Sequence, residues 1–94
     1  MMYFIALKLT GPEDSYTNLE NAIKALGPWS NRLPGCWLVE CQFSARRIRD
    51  LLGPHLQTTD RIFVGQFSKN WAGRNMGSGF PEWLKRREFE RPQS

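Results

Sequence analysis

The sequence predicts an α+β domain, and three observations carry that prediction. Four short runs place apolar residues at every second position, as strands do. Two others repeat them every three or four positions, as helices do. Turn chemistry separates these runs in the order β-α-β-β-α-β. A chain of 94 residues has room for one core. Its 40% hydrophobic residues, with four Trp and six Phe among them, supply that core without requiring disulfides or a metal.

In order, residues 2–9 (MYFIALKL) put Tyr3, Ile5, Leu7 and Leu9 on one face and Phe4, Ala6 and Lys8 on the other, which predicts a central first strand. TGPEDS is turn chemistry. Thr17 and Glu20 have capping-box spacing, and Tyr16, Leu19, Ile23 and Leu26 form one apolar stripe that stops at Gly27-Pro28, predicting a helix over 18–26. Residues 29–33 and CWLVECQF at 36–43 flank Pro34-Gly35, the pattern of a hairpin. Ser44 stands where an N-cap belongs, and Ala45, Ile48, Leu51 and Leu52 recur at helical spacing up to Gly53-Pro54. That second helix carries its arginines outside. RIFVGQF at 61–67 sets Ile62, Val64 and Gln66 against Arg61, Phe63 and Phe67, a fourth strand.

The core is therefore expected in residues 1–68, with residues 69–94 a loop and short helix packing on or extending it. The loop has Trp71, Met76 and Phe80 as large apolar anchors. Pro81 suits the first position of the last helix, in which Trp83, Leu84 and Phe89 dock while Lys85, Arg86 and Arg87 stay wet. Two right-handed crossovers make the whole a ferredoxin-like βαββαβ fold, a four-stranded antiparallel sheet with two helices on one face. The opposite face, lined by Phe4 and Ala6, is then bare, and a homodimer is the expected way to cover it.

Net charge is +4, and the cations cluster: Arg46, Arg47 and Arg49 in one group, Lys85, Arg86, Arg87 and Arg91 in another. Such groups suit an anionic partner, DNA or RNA held through its phosphates without regard to sequence. No apolar run approaches the roughly 20 residues of a membrane span, so a cytoplasmic protein without a membrane partner is expected. Cys36 and Cys41 fall on opposite faces of their strand and cannot pair there. With His55 the lone histidine, no zinc set, catalytic triad or cofactor is expected, and Gly73, Gly77 and Gly79 lack the spacing of a phosphate loop.

The stretches GPEDSYTNLENAIKALGPW, CWLVECQFSARRIRDLLGPHL and TTDRIFVGQFSKNWAG resemble small bacterial and phage proteins labelled SinR-like, unrelated to the helix-turn-helix repressor of that name. The resemblance spans residues 3–84 and its pattern includes Trp29, Trp37, Ile48, Arg49, Leu56 and Asp60. That family is similar in fold to the small dimeric CRISPR-associated adaptation protein and, more distantly, to virulence-associated endoribonucleases. What the resemblance implies at the end of the first strand is an Asp associated with a divalent metal. Lys8 matches that position here, and an ammonium cannot ligate Mg²⁺; a phosphate or carboxylate suits it instead.

The expected function is that of a small dimeric, non-catalytic binding protein contacting nucleic acid through Lys8, Arg46, Arg47, Arg49, Lys85, Arg86 and Arg87. A second expectation is a protein-interaction module, phage-encoded and acting on a host or defence protein, with Trp71 and Phe80 at its contact surface. A third is a metal-dependent endoribonuclease in which Glu13, Asp14 or Asp60 replaces the missing Asp.

Overall fold

The alternating runs form β1 (Met2–Lys8), β2 (Trp29–Leu33), β3 (Cys36–Glu40) and β4 (Arg61–Phe67), and the two amphipathic runs form α1 (Thr17–Lys24) and α2 (Ala45–Leu52). A last helix, α3 (Phe80–Lys85), follows β4. The structure is a computed structural model and describes residues 1–89; Arg91, counted above in the C-terminal basic group, lies outside the described residues, as does Glu90. The four strands make one open antiparallel sheet in the order β2-β3-β1-β4. β1 and β3 are internal, each with large apolar side chains on both faces; β2, mostly exposed, is one edge and β4 the other.

On the near face Tyr3 and Ile5 of β1 and Trp37 and Val39 of β3 meet Leu19 and Ile23 of α1 and Ile48 and Leu52 of α2, all buried. Burying each such Leu or Ile is worth about 1.5–3 kcal/mol, which is what holds both helices to one side. Cys41 belongs to this core, whereas Cys36 lies on the opposite face; both thiols are free, and loss of hydration pushes both upward in pKa. Ser44 caps α2, its hydroxyl accepting from the Arg47 N–H at 3.1 Å. Ser44→Ala is expected to cost about 1 kcal/mol, measured as a lower urea midpoint at unchanged slope.

Several boundaries differ from the sequence expectation. The Thr17–Glu20 capping box does not form. A 3-10 turn at Glu13–Tyr16 begins one turn earlier, with the Ser15 N–H and hydroxyl both donating to the Pro12 carbonyl, so Thr17 continues a helical run rather than starting one. β3 stops at Glu40 instead of Phe43: pairing with β1 ends at Met2↔Glu40, beyond which the Cys41 N–H still donates to the Met1 carbonyl (3.0 Å). α3 stops at Lys85, short of Phe89. Its exit turns the Glu88 N–H onto the Glu40 carboxylate (2.7 Å) and sets the Phe89 ring edge-on to Phe67 (centroids 5.4 Å apart).

The largest correction concerns the far face of the sheet, which is not bare. The chain covers part of it with its own C-terminal segment: Phe80, Leu84 and Phe89 bury Met2, with Leu38, Phe67, Trp71, Met76 and Trp83 packed around them. The ground for pairing two copies through that face shrinks accordingly. The loop before α3 is also ordered by a tie that no local pattern announces. The Arg32 guanidinium on β2 donates to the carbonyls of Met76 (2.9 Å) and Ser78 (3.2 Å), and a side chain on Gly77, at φ 100°, would run into it. Among the described residues no helix is long and apolar enough to cross a membrane.

Candidate functional site

α2 presents the densest basic surface. Ile48 and Leu52 face the core, so the remaining turns of the helix leave Arg46, Arg47 and Arg49 exposed. They are not equivalent. Arg49 forks onto the neighbouring Asp50, Nε and Nη2 donating to one carboxylate oxygen at 3.0 and 2.8 Å, which lowers its value to an outside anion. Arg47 lies over the ring of Phe43, 5.4 Å from its centroid, and Phe43 is itself 41% exposed. Arg46 makes no ion pair among the described residues. Two available cations beside an exposed aromatic ring form a surface that attracts phosphate and offers a stacking plane.

The C-terminal cations divide in the same way. Lys85 and Arg86 are exposed, but Arg87 is folded inward, its guanidinium over Trp83 at 5.2 Å and its Nε 3.8 Å from Glu40. Arg86 and Arg87 nevertheless line a cleft of about 550 Å³ with Lys69, Ser68 and Asn70. Lys69, a single cation within a polar loop, carried no signal in the sequence; only the fold sets it beside the arginines.

Lys8 is exposed at the end of β1. Its cross-strand partner is Arg61 of β4, a second residue that sequence reading placed on a strand without giving it a role. Lys8 also lines a cleft of about 710 Å³ together with Leu7, Leu9, Leu19, Ile23 and Trp37. Glu13 and Glu20 stand in the same wall, so that cleft has no surplus of positive charge.

The residues named for other functions are placed differently. Phe80 is 4% exposed inside the second core, and Trp71 is half-buried against it while lining an open apolar slot. Asp60 is engaged by the chain itself. Its carboxylate accepts from the Gln57 N–H (2.7 Å), the Thr10 N–H and hydroxyl (2.8 and 2.9 Å) and the Tyr16 hydroxyl (2.8 Å). Partial loss of hydration raises the pKa of that carboxyl, but the bonds from the Gln57 and Thr10 backbone and the Tyr16 and Thr10 hydroxyls outweigh it and lower the pKa to about 2. Among the described residues no three of His, Cys, Asp or Glu gather where they would hold a metal ion, and Glu13 and Asp14 sit in the first turn of the 3-10 helix. His55 is exposed at the end of a short 3-10 turn, Gly53–His55.

No family model, no curated protein and no solved structure matches this chain.

Proposed function

We propose that this chain is a ferredoxin-like βαββαβ domain acting as a non-catalytic, nucleic-acid-binding protein that reads phosphates rather than sequence. The resemblance to SinR-like bacterial and phage proteins belongs to the same proposal. The observation that carries it is the outer face of α2, where Arg46 and Arg47 are exposed beside the half-stacked ring of Phe43. Arginine is suited to this task because its planar fork bonds phosphate while its face stacks on rings. Lys69 and Arg86, which line one cleft, add a second group of the same sign, offset in part by Glu88 in the same lining.

Fluorescence anisotropy with labelled DNA and RNA across a salt series tests the reading. Affinity is expected to fall steeply from about 50 to 200 mM salt. Arg46→Ala/Arg47→Ala should flatten the log–log slope by about 0.7–0.9 for each phosphate no longer neutralised, for all sequences alike. Salt-independent binding, or an unchanged slope in the double variant, would sink it. A protein-interaction reading has less support at Phe80, which is interior, than at Trp71, which is half-buried beside an open apolar slot.

A further inference from the structure

The far face of the sheet is built in rows across the strands. At one end Met2 and Phe67 lie beneath the C-terminal segment; next come Gly65, Phe4 and Leu38; then Phe63, Ala6, Cys36 and Leu33; last, Lys8 beside Arg61. The C-terminal segment covers the first end and leaves the last two rows open. There Phe63 is 68% exposed, the most of any large apolar residue in the described chain, and Leu33 is 51% exposed. Phe63 is braced by Phe4, with centroids 5.8 Å apart. The Phe4 ring can lie flat over the sheet only because residue 65 is glycine; a Cβ there would stand 2.6 Å from it. An apolar slot of about 220 Å³ opens alongside, between Phe4 and Leu33 and the loop bearing Trp71 and Met76.

The charge beside this platform decides what it fits. Lys8 and Arg61 are directly opposed cations, an arrangement that costs stability unless an anion lies between them, and neither has an acidic partner among the described residues. Glu40 is the single carboxylate on this face of the strands, and it is engaged by the Glu88 N–H and Arg87. A second copy laid face to face would therefore bring no free strand carboxylate to the two cations. A ligand that is flat and apolar in one part and anionic in the next meets both requirements. We infer that the open end of the far face is a site for single-stranded nucleic acid, with a base stacked on Phe63 and the adjoining phosphate held between Lys8 and Arg61. The inference rests on the nucleic-acid reading above but assigns a different surface, and it favours single strands because duplex DNA hides the base faces that Phe63 would stack.

The test uses the full chain with a labelled oligothymidylate of roughly twelve nucleotides and a duplex of equal length. Phe63→Ala is expected to weaken single-strand binding by about fivefold to a hundredfold and to abolish the preference for single strand, with the salt slope unchanged. Phe63→Trp should retain the affinity, and Lys8→Ala/Arg61→Ala should flatten the slope by about 0.7 for each phosphate no longer neutralised. The exposed ring predicts an unchanged melting temperature for Phe63→Ala, which checks that folding is intact. Wild-type single-strand affinity in Phe63→Ala overturns the site, and leaves the α2 reading standing if Arg46→Ala/Arg47→Ala still weakens binding. If Phe63→Ala instead turns a sedimenting dimer into a monomer without changing affinity, a second copy occupies the face and the site is overturned. Failure of the wild type to bind either probe removes the nucleic-acid reading and this inference together.

Discussion

Phe80→Ala is expected to destabilise the protein by about 3–5 kcal/mol, a large fraction of the total stability of a domain this size. Phe80 is 4% exposed and packs with Leu84, Phe89 and Met2, its ring 6.3 Å from that of Trp83, so truncation leaves a cavity between sheet and segment rather than a vacancy at the surface. The measurement is a urea titration followed by tryptophan fluorescence. The C-terminal segment then counts as part of the fold, and failure of this variant to capture a partner would report unfolding rather than removal of a binding residue. A variant as stable as wild type would mean that residues 71–89 do not seal the far face.

The second large effect concerns the clamp around Asp60. This carboxylate ties the chain after β1, through Thr10, to the end of the 3-10 turn, through Tyr16, and to the turn before β4, through Gln57. Its carboxyl is held at about 2 when folded, against about 3.9 in an unfolded chain. As pH falls the unfolded state takes up the proton first, so the contribution is fully present above about pH 4 and is lost as pH falls towards 2. The thermal midpoint of the wild type should therefore drop across that window more steeply than that of Asp60→Asn, which has no charge to lose. Tyr16→Phe, which removes a hydroxyl that donates to Asp60 and accepts from the Gly11 N–H (2.9 Å), should cost about 1.5 kcal/mol at neutral pH. Parallel pH profiles for wild type and Asp60→Asn would refute the clamp.

The resemblance drew attention to Asp60, but as a stand-in metal ligand. The reason it acts as a clamp was not legible, since its partners lie at positions 10, 16 and 57 and converge only when β1 and β4 pair. Ser44 and the Ile48/Leu52 stripe were legible because a cap and a helical face are local, decided within four residues. Thr17 and Glu20 had an equally good local pattern and were overruled, because the Pro12–Ser15 turn had already started the helix. The same contrast holds among the basic residues. That Arg46, Arg47 and Arg49 face outward follows from helical period alone, but that Asp50 occupies Arg49 and that Arg87 folds against Trp83 and Glu40 does not.

By itself, then, the sequence determined the element order, the apolar side of β1, β4, α1 and α2, and the outward arginines, since each is set by short-range periodicity and capping. Only the tertiary structure decided that the far face is half closed by Phe80, Leu84 and Phe89, that Arg32 pins the loop, and that Lys8 comes to stand beside Arg61 next to an exposed Phe63. The physical reason is distance along the chain. Those pairings join residues some 40 to 90 positions apart through strand register and burial, and no window of sequence holds both partners.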